Sequence, residues 1–279
     1  MKYIEVEFTF NPEEIDGEIV LAEISDLAFE SFAEEDGKIL AYAQEEDFDA
    51  SALKDFQWLK DNPVKFKQNQ INDINWNEEW EKNFDPIEVS DNCIVRATFH
   101  NVEKEYEYDL LIDPKMSFGT GHHATTHLVL KNMFQFNFEG SQVLDMGAGT
   151  GVLAVLAIKL GADHALAIDN NPWAFENAMD NVKLNDCEGK ITVEIGESEL
   201  IQGKTFNYIL ANINRNVILA DLPHYEKALA KDGALLVSGI MNHDVQFVLD
   251  KAKEVGLVLD SLEEKDNWNL FVFKKLLID

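Results

Sequence analysis

Cysteine is nearly absent: Cys93 and Cys187 are the only two in 279 residues. They stand far apart with no Cys-x-x-Cys spacing, which argues against a disulfide framework and against a cysteine-based zinc site. No run of 18 apolar residues exists; the longest, VLAVLAI at 152–158, stops at Lys159 and is too short for a membrane helix. The start, MKYIEVEFTF, alternates polar and apolar residues and lacks the apolar segment of a signal peptide. Basic residues are scarce, with 23 Lys and Arg against 52 Asp and Glu and a formal charge of −29. Such a chain repels phosphate at long range, which argues against direct nucleic-acid binding and against an anionic membrane surface. The expectation is an unprocessed, cytoplasmic protein, monomeric, whose electrostatic complement is a basic partner.

Apolar residues make up 46% of the chain, enough for a core, and the length suits one or two domains. Residues 1–60 hold four basic side chains (Lys2, Lys38, Lys54, Lys60) and 17 acidic ones, a net of −13. That charge is either a solvated face or a docking surface. Residues 3–10 alternate with period two and predict a strand. Asn11-Pro12 predicts a helix entry, and Ile15, Ile19, Ala22 and Leu27 follow at helical spacing. Asp36-Gly37, between 29–34 and 38–43, predicts a hairpin. Residues 49–59 predict a second helix and 64–71 a last strand. Strand, helix, strand, strand, helix, strand is the order of a small ferredoxin-like α+β domain, here over 1–71. Residues 72–92 predict a connector helix carrying Trp76 and Trp80 on one face and ending at Asp85-Pro86.

From Gly140 strands and helices alternate, which predicts an α/β domain over 93–279 with a mostly parallel sheet and helices on both faces. The apolar strand ending at Asp145 runs into Gly147-Ala148-Gly149-Thr150-Gly151 and then a helix from Val152. Glycines there let the backbone approach a ligand at a strand's carboxyl end. The next strand ends at Asp169, 24 residues after Asp145, the place for an acid that takes ribose hydroxyls. A dinucleotide loop fails from Gly147, because Val152 stands where its third glycine belongs. Read from Gly149 it fits through Ala154, but starts late. Asp-x-Gly-x-Gly-x-Gly fits at Asp145, Gly147, Gly149 and Gly151 without adjustment.

A strand over 206–210 ends in Ala211-Asn212-Ile213. The Asn212 carbonyl can accept a hydrogen bond from an amine and orient its nitrogen; an Asn there can equally cap a turn. Residues 113–126, DPKMSFGTGHHATT, join a strand to a helix and predict a mobile lid, with Phe118 in it and Thr125 or Thr126 capping the helix toward ligand. His123 and His127 are four apart, but no third ligand stands at a familiar spacing, so no metal site is expected. Residues 257–263 and 268–274 flank Asp266-Asn267 and predict a closing antiparallel hairpin, unlike the parallel continuation usual in dehydrogenase domains.

These segments resemble the ribosomal protein L11 methyltransferase family of bacteria over nearly the whole chain. The resemblance is carried by DPKMSFGTGHHATT (113–126), VLDMGAGTGVLAVLAIKLGA (143–162), AIDNNPWAFENAMDN (167–181), ILANIN (209–214) and VSGI (237–240), and by the connector NWNEEWEKNFDPIEV. It implies a seven-stranded, Rossmann-like methyltransferase sheet that closes with a reversed strand. It implies transfer of methyl groups from S-adenosylmethionine to lysine side chains and the α-amine of ribosomal protein L11. The amino-terminal domain is implied to recognise substrate and to swing. Cofactor contacts are implied at Thr126, Gly147, Asp169 and Asn212, with Asp145, Gly149, Gly151 and Phe118 completing the site. Ala148 fills the loop's variable place, while Ala124 and Arg96-Ala97-Thr98 depart from the family on the substrate side.

A lysine amine must shed a proton before it attacks, since its free pKa is about 10.4. No dedicated base is evident, so Asn212 is the candidate for orienting the amine and His123 the second candidate, as a base. Competing readings are a methyltransferase of the same fold acting on another protein or a small molecule, a nicotinamide-dependent oxidoreductase, and a silent binding module. The Asn-Pro-Pro-Tyr signature of amide methylation is missing at 212–215, which reads Asn-Ile-Asn-Arg.

Overall fold

The computed structural model describes residues 3–12, 14–24, 27, 29, 31–35, 37–45, 48–71, 85–113, 115 and 117–275. The chain divides into two compact units, Met1–Phe84 and Asp85–Asp279.

In the first unit β1 (Tyr3–Thr9) alternates as its sequence does: Ile4, Val6 and Phe8 are buried, and the intervening side chains are not. Helix α1 (Gly17–Ile24) lays Val20 and Ile24, four apart, on the same core. Then come β2 (Ser31–Glu35), β3 (Lys38–Gln44), the short helices α2 (Ala50–Asp55) and α3 (Gln57–Asp61), and β4 (Lys65–Ile71). The strands lie in the order β2-β3-β1-β4, and every pair is antiparallel.

Three details differ from the sequence expectation. The helix does not start at Pro12: the Asn11 carbonyl accepts the N–H groups of Glu14 and Ile15, closing a separate turn before α1 begins at Gly17. The helix expected over 49–59 is broken at Phe56, whose backbone is extended (ψ 109°). Leu53 and Leu59 are both buried in the same cluster. Six residues apart on one helix they would point about 120° away from each other, and the break removes that conflict. Trp76, Trp80 and the rest of 72–84 lie outside the described residues. Residues 87–90, expected in the connector, form a strand of the second unit, because Val89 is buried in that unit's core.

The second unit opens with a small sheet of β5 (Ile87–Ser90), β6 (Cys93–Arg96) and β7 (Tyr108–Leu111). Arg96 clamps Asp109 across it, with Nε 2.9 Å from Oδ1 and Nη2 2.7 Å from Oδ2. Helix α4 (Ala124–Met133) leads into β8 (Gln142–Met146), α5 (Val152–Lys159), β9 (His164–Asp169), α6 (Pro172–Leu184) and β10 (Ile191–Ile195). The chain continues through β11 (Phe206–Asn212), α7 (Arg215–Ala228), β12 (Leu229–Met241), α8 (Val245–Glu254), β13 (Leu257–Lys265) and β14 (Trp268–Lys275).

The large sheet has seven strands in the order β10-β9-β8-β11-β12-β14-β13. It is parallel from β10 to β12, and β14 runs antiparallel to both of its neighbours. The reversal is made by Asp266 and Asn267, both at positive φ (53° and 65°), the conformation a two-residue hairpin needs. Successive residues of the central strands feed two separate cores. Val143, Leu210 and Leu236 pack with α4, α5 and α6, whereas Leu144, Ile209 and Leu235 pack with α7 and α8. Both faces of the sheet are therefore covered, as the unbroken apolar runs in its strands require.

Candidate functional site

A cavity of about 870 Å³ lies across the tips of the large sheet. From one side to the other it is bordered by Gly196 and Glu197 after β10, Asp169 at the end of β9, and Gly147 and Gly149 after β8. Asn212 and Ile213 at the end of β11, Gly239 near the end of β12 and Trp268 at the start of β14 complete the border. Because β14 is reversed, its first residue comes to the same end as the others' last.

The loop after β8 needs its glycines. A Cβ on Gly147, at φ +70°, would lie 2.0 Å from Ile213 Cγ2, and one on Gly149, at φ +55°, 2.2 Å from the Phe118 carbonyl. The loop is sewn to its neighbours: the N–H groups of Gly147 and Ala148 both reach the Ile168 carbonyl, at 2.8 and 3.0 Å. The Asp169 carboxylate accepts the Gly149 N–H at 2.9 Å and the Asn171 N–H at 3.0 Å, so it is fixed at the cavity edge by two backbone donors. Gly151 does not border the cavity; it starts α5 in the left-handed region and leaves 3.4 Å between a notional Cβ and Ala178.

Phe118 is 54% exposed and borders the cavity. Its carbonyl accepts the Thr150 N–H at 2.9 Å, and the Gly119 carbonyl accepts the Thr150 hydroxyl at 2.7 Å. The expected lid thus sits on the glycine loop. Pro114 and Met116 of the same segment lie outside the described residues.

Asn212 is oriented by its neighbour. Its Nδ2 donates to Thr126 Oγ1 at 3.2 Å, and its Oδ1 is buried with no partner. The amide therefore holds a buried acceptor without a partner near the middle of the row of tips. Thr126 itself is buried behind Asn212, and it is Thr125 that borders the cavity. Neither threonine caps α4: that helix starts at Ala124, and its cap is His123, whose Nδ1 accepts the Thr125 N–H at 3.3 Å. The same Nδ1 lies 2.8 Å from the Thr125 hydroxyl, so this nitrogen is taken up at the start of α4. Burial, with Lys265 and Lys131 nearby, holds the His127 pKa below the usual imidazole value. Among the described residues no three or more His, Cys, Asp or Glu side chains are grouped to hold a metal ion.

Glu197, Gly239 and Trp268 border the cavity without being expected there from the sequence. A signal exists for Glu197, which follows a strand ending in Val193-Glu194-Ile195 just as Asp169 ends the one before. Gly239 is required because a Cβ there would lie 2.2 Å from the Ile213 carbonyl. Trp268 reads in the sequence only as the first residue of a hairpin strand.

The ribosomal protein L11 methyltransferase (PrmA) family model matches residues 11–276. The chain is 43% identical over 274 residues to the ribosomal protein L11 methyltransferase of Phocaeicola vulgatus, covering 96% of this chain and 97% of that one. It is 39% identical over 279 residues to that of Porphyromonas gingivalis, covering 96% of each. Among solved structures it is similar to the ribosomal protein L11 methylase of Lactobacillus delbrueckii subsp. bulgaricus, with a TM-score of 0.64 and 24% identity, over 69% of this chain and 99% of that one. That structural likeness shows a shared fold.

Asp145 lies beneath the loop and does not border the cavity. Its Oδ2 accepts the Ala154 N–H at 3.1 Å at the start of α5, and its Oδ1 has no partner. Burial pushes its carboxyl up to about 8, against the lowering effect of the Ala154 N–H and with a smaller push from Asp169. In the unfolded chain the same group ionises near pH 3.9. Between those values the native state holds a proton that the unfolded state has lost, so this group makes stability fall as pH rises. Asp145→Asn removes the titration. Urea midpoints for parent and variant should diverge in the variant's favour from pH 5 to about 8 and run parallel above it. A difference independent of pH would show that Asp145 ionises normally.

Proposed function

We propose, because the chain belongs to the ribosomal protein L11 methyltransferase family, that it transfers methyl groups from S-adenosylmethionine to amino groups of ribosomal protein L11, on lysine side chains and the N-terminal α-amine. The observation that carries this reading is the Asn212 amide: a buried, unpartnered acceptor fixed by Thr126 in a cavity whose other side holds Asp169 and a glycine loop. The cavity fits the cofactor. Asp169 takes ribose hydroxyls, Gly147 and Gly149 give close backbone approach, Phe118 covers it, and Asp145 and Gly151 support the loop from below and behind. Bound there, S-adenosylmethionine would supply a methyl group on a neutral, good leaving group to an amine that has already given a proton to water.

The chain's own residues position, desolvate and exclude water. Asn212 Oδ1 accepts from an N–H of the incoming amine and turns its lone pair inward. Ile213 and Trp268 make that side of the cavity apolar, which favours the neutral amine over the ammonium. Water accepts the proton, since His123 Nδ1 is taken up by Thr125 at the start of α4. The acidic amino-terminal unit, read as ferredoxin-like, recognises the basic substrate, and its charge steers association in a salt-sensitive way. The enzyme acts as a monomer in the cytoplasm.

Mass spectrometry of purified ribosomal protein L11 incubated with the enzyme and S-adenosylmethionine should show added mass in steps of about 14 Da mapped to amines, one methyl replacing one hydrogen. No added mass, with cofactor binding intact, would sink the substrate assignment. Asp169→Ala should weaken cofactor binding roughly 10–100-fold in calorimetry, with the far-ultraviolet circular dichroism unchanged. Asn212→Ala should slow single-turnover transfer by roughly tenfold or more. An unaltered single-turnover rate would leave Asn212 a purely structural role.

A further inference from the structure

Strand β7 has one edge in the small sheet and the other against α6. On the first edge it pairs in parallel with β6, and the Ile112 N–H continues that pairing to the Arg96 carbonyl. On the second edge it meets side chains instead of a strand. Asn185 Oδ1 accepts the Leu111 N–H at 3.0 Å, and its Nδ2 donates to the Leu111 carbonyl at 2.6 Å. Two residues on, Asn181 Oδ1 accepts the Asp113 N–H at 2.8 Å, and Asn177 Nδ2 donates to the Asp113 carbonyl at 3.0 Å. All three asparagines are buried. The match is geometric. Residues four apart on a helix advance about 6.0 Å. Alternate residues of a strand turn their N–H and C=O groups to the same edge and advance about 6.6 Å. Carboxamides at 177, 181 and 185 therefore serve the chain leaving β7 as a neighbouring strand would.

Asn181 has a second partner. Its Nδ2 donates to the Thr150 carbonyl at 2.9 Å, in the glycine turn after β8. Thr150 is also the residue whose N–H and hydroxyl reach the carbonyls of Phe118 and Gly119. One buried amide thus joins Asp113, where the segment 113–126 begins, to the turn on which that segment rests.

We propose that Asn181 is a positioning residue for cofactor binding: it sets the place of Thr150, and through it of Gly149 and Phe118 at the cavity border, relative to the chain leaving β7. The proposal rests on S-adenosylmethionine occupying the cavity. Asn181 does not border that cavity, so it acts through the turn. An amide suits the place because it offers an acceptor and a donor at once and carries no charge. Leucine, of nearly the same shape, would leave the Asp113 N–H and the Thr150 carbonyl without partners. Asn185 is the built-in control. It belongs to the same ladder, but its Nδ2 and Oδ1 reach Leu111 and the Asn181 carbonyl, not the glycine turn.

The test compares Asn181→Leu with Asn185→Leu in the full chain. Each strips at least two backbone groups of their partners, so each should lower the thermal midpoint. Only Asn181→Leu should weaken the binding of S-adenosylhomocysteine in calorimetry, by roughly tenfold. In hydrogen exchange read by mass spectrometry without ligand, peptides covering 147–151 should exchange several-fold faster in Asn181→Leu and at the parent rate in Asn185→Leu. Affinity that falls equally in both variants, or in neither, overturns the proposal. So does parent-rate exchange at 147–151 in Asn181→Leu. Asn181→Ala and Asn185→Ala repeat both measurements if a leucine variant fails to fold. If the parent chain binds no S-adenosylhomocysteine, the cofactor reading fails instead, and the exchange rates still decide whether Asn181 holds the turn.

Discussion

The central strand β8 has no face toward water, and the placement of the chemistry follows from that. Its neighbours β9 and β11 pair with it on both edges, and its side chains enter two apolar cores on its two faces. In such a strand a polar group is tolerable only where the strand ends. Asp169 and Asn212 stand at the ends of β9 and β11, and each finds polar partners there. Asp145, one residue short of the end of β8, lies far enough in to be held protonated near neutral pH. The same constraint sends the chain through a tight glycine turn, because a helix must start at once to cover the strand it has just left.

The parts of the site that lie close together in the chain are legible in the amino-acid sequence. The strand, its glycine turn and the helix behind it are one local unit, and the next acid marks the end of the adjacent strand. The reversed last strand is also readable, from the turn chemistry of Asp266-Asn267. What depends on distant contacts is not. Which of Thr125 and Thr126 meets the cavity depends on the rotation of α4 about its axis, and two adjacent helical residues differ by about 100°. By its spacing His123 resembles a base or a metal ligand, and only the start of α4 at Ala124 reveals it as a cap. Trp268 carries no motif; it reaches the site because β14 runs backwards beside β12. The broken helix at Phe56 answers to the packing of Leu53 and Leu59, which a helical pattern alone does not weigh.

Charge and apolar surface meet at the cavity. The acidic side chains at its rim, Asp169, Glu197 and Asp221, favour a cation, and in an ammonium the nitrogen has no lone pair to give. The apolar lining of Met146, Ile168, Ile213 and Trp268 pulls the other way. The acidic side chains at the rim stand toward β9, β10 and α7; Ile213 and Trp268 stand toward β11 and β14, whereas Ile168 adjoins Asp169 on β9, so apolar surface runs along the whole row of tips and charge is confined to one end.

The seat of Phe118 on Thr150 has a mechanical consequence. Two hydrogen bonds join the loop at 117–119 to the glycine turn after β8. Phe118 cannot lift away without breaking both, at a cost of about 1–3 kcal/mol, so a displacement of the loop is passed directly to the turn. The two segments, 31 residues apart in the chain at Gly119 and Thr150, move as one piece of the cavity's edge.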